Sequence, residues 1–281
     1  DKAAQMLKAR AEGRLADWSL HLGGRLSASY LMERTNRAGK FPILSRLPPQ
    51  HTRGTADAYG VINEVSLGAT LSLPYVTLYA QGEYTELAYK GQDDLQWRKA
   101  FIVLGDLDAF PFYAAFGRKT VSFGNFTTYA PFTHSHSSHY FWSQTRAEVL
   151  ELGYVDDRTE ISVSAIKARR GFRVTNSPTQ SGAYDNFAAN AVHRVPLGQG
   201  RQVTFGAGWL KGTIYDSTLA HHPPGIGVAP FWNAAWDAHV TYETPRFDIM
   251  AEFGRTVEDW PATFHPVFSA SLQCRMLTLM I

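Results

Sequence analysis

Hydrophobic and polar residues alternate along most of this chain. From Trp18 to Met32 hydrophobic side chains recur at every second position, with mainly small or polar residues between them. The same pattern returns over 59–73, 234–242 and 247–253. Successive side chains of a β-strand point to opposite faces, so a period of two predicts strands with one apolar and one polar face.

The predicted strands are longer than those of most soluble proteins. They run over roughly 10 to 16 residues, whereas strands in soluble domains average about 5–6. A tilted strand of about 9–11 residues crosses the hydrocarbon core of a bilayer, so this length favours membrane-spanning strands. The pattern predicts about twelve strands, at 17–33, 58–73, 75–89, 95–105, 111–122, 146–155, 159–169, 186–195, 201–213, 233–243, 246–256 and 265–276.

Short and long connections alternate between these strands. The short ones are rich in Pro, Gly and Asp and lie near 74, 106–111, 156–158, 196–200 and 244–246. The longer ones include 34–57, 123–145, 171–185 and 214–232. Outer-membrane barrels alternate short periplasmic turns with longer extracellular loops, and an even strand number returns both chain ends to the periplasm.

The polar positions separate two interpretations of the alternation. A soluble β-sandwich also alternates, because its inner face is apolar and its outer face meets water. Here the polar positions combine Gly, Ser and Thr with Arg and Glu, which suits the wet interior of a barrel better than a surface dominated by Lys and Glu. We therefore predict an all-β fold, a transmembrane antiparallel up-and-down β-barrel over 17–281 in the bacterial outer membrane.

The two ends of the chain depart from the alternation. Residues 1–16 place Ala4, Leu7, Ala11 and Leu15 at helical spacing, which predicts a short periplasmic helix. It either lies against the barrel mouth or forms part of a coiled coil between protomers. The first residues lack the features of a signal peptide, so we expect one to be absent or already removed. The chain stops at Ile281 without the terminal aromatic residue usual in bacterial barrels, so twelve strands is the minimum predicted.

Composition and charge exclude several other classes of protein. The chain carries 27 Lys+Arg against 25 Asp+Glu, a formal charge of +2, so no strong field favours nucleic acid. Cys274 is the single cysteine, which excludes an intramolecular disulfide framework. No Gly-x-Ser-x-Gly turn is present, so we expect no enzyme activity and no cofactor.

One segment resembles a known family. Residues 103–126 combine a strand, a Gly-Asp-Leu-Asp turn, a Pro-Phe-Tyr strand start and a Gly-x-x-x-Val-x-Phe-Gly run. This order resembles the LbtU-like siderophore porins, which implies an outer-membrane barrel that passes ferric siderophores or other small solutes. The residues that carry the resemblance are Gly105, Asp106, Leu107, Asp108, Pro111, Tyr113, Gly117, Val121, Phe123 and Gly124.

Charged residues of both signs occupy the polar positions of the strands, and they cannot face lipid cheaply. We predict that they line the pore, as a conducting path or as a lumen filled by charges that satisfy one another. The acidic excess among them predicts a weak cation preference. The predicted pore-lining residues are His21, Arg25, Glu64, Gln81, Glu83, Arg98, Glu151, Asp237, His239, Asp248, Glu252 and Arg275.

The loop at 123–145 is too aromatic for a segment that lies in water. We predict that it folds into or over the pore mouth as a constriction, through Phe123, Phe126, Tyr129, Phe132, Tyr140 and Trp142. Its His134, His136 and His139 have a spacing that can hold a metal, although a plain polar loop has the same composition and we expect no metal site.

Two classes of function follow from this fold. The first is a porin for passive passage of small solutes, and the second is a barrel that anchors a membrane assembly. The expected partners are outer-membrane lipid and lipopolysaccharide, small-molecule solutes, and a second copy or another assembly component, without nucleic acid. Basic residues crowd the first long loop, where they either attract an anionic ferric chelate or lipopolysaccharide phosphate, or are simply solvated. They are Arg34, Arg37, Lys40, Arg46 and Arg53.

Overall fold

The computed structural model describes residues 1–34, 56–86, 95–125, 148–167, 182–212, 232–260 and 265–276. One α-helix, α1 (Lys2–Ala11), precedes the strands. The strands are β1 (Ser19–Arg34), β2 (Ala56–Leu73), β3 (Val76–Tyr84), β4 (Leu95–Leu104), β5 (Phe112–Arg118), β6 (Val149–Val155), β7 (Thr159–Lys167), β8 (Tyr184–Gly198), β9 (Arg201–Leu210), β10 (Ala235–Glu243), β11 (Phe247–Trp260) and β12 (His265–Met276).

The strands form one up-and-down sheet in which the order along the sheet is the order along the chain, from β1 to β12. The pairing is antiparallel, as the match of Ser19 with Ser72 and of Arg34 with Ala56 illustrates for β1 and β2. The predicted fold class is therefore confirmed, and the part of the chain that the structure describes contains twelve strands. The chain divides into two compact units, residues 17–100 and residues 1–16 together with 101–281.

Several predicted boundaries are wrong. Strand β5 ends at Arg118 rather than at 122, and Gly117, just before this end, has a φ of 127° that favours glycine. The helix ends at Ala11 rather than at 16, and Ala11 is exposed although the spacing placed it on the apolar stripe. Local alternation cannot reveal where a strand leaves its sheet, since the residues beyond β5 keep the same period.

Burial along the strands is inverted relative to a soluble protein. On β7 the polar residues Glu160, Ser162 and Ser164 are buried, whereas Ile161 is 45% exposed and Val163 55% exposed. The same inversion holds on β6, where Glu151 is buried and Leu152 is 62% exposed, and on β1 Leu22 is 77% exposed. Exposed large apolar side chains on consecutive strands form the kind of surface that lipid covers. We call the two sides of the sheet the apolar face and the polar face.

The short connections are fixed by local hydrogen bonds. In the turn between β6 and β7, Asp156 accepts the backbone N–H groups of Arg158 at 2.7 Å and Thr159 at 2.6 Å. These bonds, helped by the hydroxyl of Tyr154, lower the pKa of Asp156 to about 2.

Among the described residues, no helix is both long enough and apolar enough to cross a membrane.

Helix α1 has well-defined ends and one buried side. Asp1 caps its first turn by accepting the backbone N–H of Ala3 at 2.7 Å, and Lys8 and Arg10 lie in its last turn, where positive charge complements the helix dipole. The buried side consists of small or flexible apolar residues, namely Ala3, Ala4, Met6, Leu7 and Ala9. The same chain covers them, so this side offers no free surface for a coiled coil.

The two faces of β2 generate a prediction about membrane insertion. Leu67 is 71% exposed on the apolar face, and Thr70 lies on the polar face three residues later. We expect Leu67→Arg to destabilise the inserted protein by about 2–4 kcal/mol near the bilayer midplane. Thr70→Arg should be tolerated. The measurement is the fraction of each variant that migrates as a folded band in unheated gel samples, and equal loss in both variants would contradict the assignment of faces.

Candidate functional site

Two segments of the chain contact the polar face of strands β6 to β11, one at β7 and the other along the row of strands. One is α1, and the other is residues 119–125, which leave the sheet after β5 and which we call the crossing segment. Both belong to the same compact unit as these strands. The site is built from the contacts that these segments make with the polar face.

The crossing segment is held at the long-loop ends of five strands. Val121 and Phe123 are each 1% exposed and pack in an apolar cluster with one residue from each strand from β6 to β10. The cluster partners are Val149, Ile166, Ala188, Leu210 and Ala235. At its end the backbone N–H of Asn125 donates to Glu252 on β11 at 2.8 Å. The segment therefore spans the polar face from β5 to β11.

Two glycines of β9 provide the room for this packing. A Cβ atom at Gly208 would lie 2.9 Å from the backbone nitrogen of Gly124. Only glycine therefore lets the crossing segment pack this close to β9. A Cβ atom at Gly206 would overlap the imidazole of His239, which β10 places directly opposite. Both the segment and the histidine ring thus lie against bare backbone.

An ionic cluster joins the start of the crossing segment to the polar face. Lys119 pairs with Glu151 of β6, and both side chains are within 1% of complete burial. Glu151 also accepts the hydroxyls of Tyr113 and Ser164, each at 2.9 Å. The Lys119 ammonium contacts the Asp1 carboxylate at 2.9 Å, which ties α1 to the same cluster. These donors supply the hydrogen bonds and the positive charge that a buried carboxylate needs.

A second ionic cluster holds α1 near the short-turn ends of β7 and β8. The carboxylate of Glu160 pairs with Lys8 of α1 at 3.1 Å and with Arg194 of β8 at 2.8 Å. The guanidinium of Arg10 donates to the carbonyl oxygen of Gly105, in the connection between β4 and β5, at 3.4 Å. Helix α1 is therefore fixed at the end of the sheet opposite to the long loops.

A third group of polar side chains lies between β10 and β11. His239 Nδ1 and Asp237 Oδ1 are 2.9 Å apart, and Glu252 is the residue directly opposite His239 in the strand pairing. One donor atom from each of the three residues lies within 4.8 Å of the others. This is the donor set, one imidazole and two carboxylates, that a divalent cation accepts.

The predicted pore-lining residues fall into three groups by exposure. Glu83, Glu151, Asp237, His239, Asp248 and Glu252 are buried, Glu64, Gln81 and Arg98 are partly buried, and His21 and Arg25 are exposed. Arg275 lies opposite Asp248 in the pairing of β11 with β12, and its side chain is outside the described residues. The buried members contact neighbouring protein groups. That the whole set lines a water-filled path stays a prediction.

The predicted constriction loop is described only at its beginning. Phe123 is buried against the polar face, as part of the crossing segment. Phe126, Tyr129, Phe132, Tyr140 and Trp142 lie outside the described residues, and so do His134, His136 and His139.

Lys119 is not among the residues predicted from the sequence, although it neutralises Glu151. A signal for the crossing segment was present, because Val149, Ile166 and Leu210 place large apolar side chains on the polar face. Large apolar side chains are unfavourable on a surface in contact with water. Where they occur at positions of the polar face, they indicate that another segment of the chain covers them.

The residues that carry the family resemblance cluster in this site. Gly105 and Asp106 begin the connection between β4 and β5, where the carbonyl oxygen of Asp106 accepts the N–H of Phe110 at 2.9 Å. Tyr113 binds Glu151, and Phe123 lies in the crossing segment with Gly124. Gly124 has a φ of 62°, which favours glycine. The motif thus encodes the turn, β5 and the crossing segment.

Comparison with solved structures shows the fold. OmpF of Salmonella typhi, in a complex with daunomycin, superposes with a TM-score of 0.51 at 11% sequence identity, over 92% of this chain and 73% of that chain. The outer membrane channel DcaP of Acinetobacter baumannii gives a TM-score of 0.43 at 13% identity, over 92% of this chain and 88% of that chain. A mutant Rh. blastica porin gives 0.41 at 9% identity, over 91% of this chain and 89% of that chain.

No protein-family profile and no characterised protein matches the chain in sequence. Membership of the LbtU-like family is therefore not confirmed. The superposition on OmpF and the up-and-down sheet define the fold as a porin-type antiparallel β-barrel.

The buried ion pair generates a prediction about stability. Lys119→Met leaves Glu151 buried without its cation, which we expect to lower the free energy of unfolding by about 3–5 kcal/mol. Adding Glu151→Gln should recover much of this loss, because the amide carries no charge. Arg14→Met breaks an exposed ion pair with Glu12 and should change little. Urea unfolding of the detergent-purified protein measures the free energy of unfolding of all three variants. An unchanged value for Lys119→Met would show that Glu151 does not depend on Lys119 as its partner.

Proposed function

We propose that this protein is an outer-membrane channel for the passive passage of small solutes. The observation that carries the proposal is the inverted burial of the strands, with large apolar side chains exposed and charged side chains on the opposite face. A sheet of this kind places its apolar face against lipid and its polar face around an interior that can hold water.

Two structural elements favour small rather than large solutes. The crossing segment lies on the polar face of strands β6 to β10, and α1 contacts this face at Glu160 of β7. Each element takes up cross-section that would otherwise be available to a solute. We therefore propose that passage is limited by size, and that the rest of the loop at 126–147 adds to the constriction.

The solute class we propose is a compact polar molecule, with ferric siderophores as the candidate from the family resemblance. Basic residues in the first long loop would attract an anionic chelate. Of these, Arg34 is exposed at the end of β1, and Arg37, Lys40, Arg46 and Arg53 lie outside the described residues. The same charges suit lipopolysaccharide phosphate, which we propose as a partner together with outer-membrane lipid.

The proposed orientation places the N-terminus in the periplasm of a Gram-negative cell. Helix α1 contacts Glu160 and Arg194, which lie close to short turns. In outer-membrane barrels the short turns face the periplasm. We propose that residues 1–16 form a periplasmic segment and residues 17–281 the barrel. We also propose that a second copy or another membrane component is the assembly partner.

The alternative function is a barrel that anchors an assembly without conducting. The ionic clusters that hold α1 on the polar face favour it, because an immobile helix can fill an interior. Single-channel recording in a planar bilayer separates the two functions. Discrete conductance steps support the channel, and a protein that inserts as a folded band but gives no steps supports the anchor.

The loop after the crossing segment generates a prediction about conductance. Deleting residues 127–138 should enlarge the single-channel conductance, because the deletion removes aromatic material next to a segment that already lies on the polar face. A deletion of residues 220–228, in the long connection between β9 and β10, is the control and should have a smaller effect. Unchanged conductance after the first deletion would mean that the loop lies outside the path.

The charges on the polar face generate a prediction about ion selectivity. Glu151 pairs with Lys119, a cation that is not among the predicted pore-lining residues, so the acidic excess is smaller than the sequence count. Glu64 is partly buried on β2 and remains available to ions. We expect a weak cation preference that Glu64→Gln reduces, whereas Asp157→Asn in an exposed turn leaves it unchanged. Reversal potentials in a salt gradient measure this, and strong anion preference would contradict the assignment.

A further inference from the structure

The pairing of β10 with β11 brings three metal-binding side chain types together on the polar face. Asp237 and His239 are two residues apart on β10, so both project to the same side, and Glu252 faces His239 from β11. All three are buried, with exposed fractions of 2%, 9% and 4%. Their donor atoms lie within 4.8 Å of one another.

Asp237 has an unused oxygen inside this group. Its Oδ1 contacts His239 Nδ1 at 2.9 Å, whereas its buried Oδ2 has no hydrogen-bond partner among the described residues. Leaving a buried carboxylate oxygen without a partner is costly. A cation bound at this oxygen would remove that cost.

The histidine ring is held rigidly in place. It lies against Gly206, where a Cβ atom would overlap the ring, and Asp237 contacts its Nδ1. Glu252 is also oriented, because its Oε1 accepts the backbone N–H of Asn125 at 2.8 Å. A site with fixed ligands needs little rearrangement on binding a metal.

We propose that Asp237, His239 and Glu252 bind a divalent transition-metal cation, with Zn²⁺ as the best match. One imidazole and two carboxylates supply three protein ligands, which leaves a fourth position for water or another ligand. Mg²⁺ and Ca²⁺ prefer oxygen ligands only, so the imidazole argues against them. This proposal does not rest on conduction, because it concerns the wall of the barrel.

Metal binding would also fix the crossing segment. Glu252 is both a ligand and the acceptor for Asn125, whose side-chain amide contacts Met250 Sδ at 3.0 Å. A cation on Glu252 would therefore stabilise β10, β11 and the end of the crossing segment together. We expect Zn²⁺ to raise the unfolding temperature of the protein.

The experiment uses the full chain in detergent, with His134, His136 and His139 changed to Ala to remove the other histidine group. After treatment with a chelator, equilibrium dialysis against ZnCl₂ should give one Zn²⁺ per chain, and excess Ca²⁺ should not displace it. Asp237→Asn, His239→Gln and Glu252→Gln should each weaken binding by at least about tenfold. Asp248→Asn is the matched control, since Asp248 is buried on β11 but lies outside the group, and should bind normally.

A second measurement does not depend on variants. Co²⁺ added to the metal-free protein should give the intense visible absorption of a low-coordinate site, and Zn²⁺ should abolish it. The proposal is overturned if the protein binds no Zn²⁺ once the loop histidines are removed. Equal binding by the three site variants and the Asp248→Asn control would overturn it as well.

Discussion

The alternation of side chains in long antiparallel strands is the constraint on which the rest of this structure depends. Because side chains of a strand alternate between two faces, a sheet in lipid must place its apolar residues on one face and its polar residues on the other. The polar face is then a confined surface on which charges need partners. These partners come from the ionic clusters, in which the crossing segment and α1 contact the charges of the polar face.

The partners of the buried charges come from chain segments outside the sheet as well as from neighbouring strands. Lys119, just beyond β5, neutralises Glu151, and Lys8 of α1 neutralises Glu160 together with Arg194. The segments that narrow the polar face are therefore the same ones that make its carboxylates tolerable. Removing either segment would leave buried carboxylates without their cationic partners, so both segments contribute to the stability of the fold.

Glycine has a specific role on this polar face. Gly208 admits the backbone of the crossing segment, and Gly206 admits the ring of His239. At these two positions strand β9 contributes open space rather than side chains to the site. The group formed by Asp237, His239 and Glu252 depends on that space, since a side chain at 206 would displace the imidazole.

The sequence alone predicted the antiparallel strands and the up-and-down order that the described residues show, because strand alternation is a local property of the chain. Its aromatic content also predicts an inward loop, of which the structure describes Phe123, buried on the polar face. Only the tertiary structure decided that β5 stops at Arg118, that Lys119 meets Glu151, and that Asp237, His239 and Glu252 converge. These contacts join residues far apart in the chain, and their partners depend on strand register and on the path of a segment without periodicity.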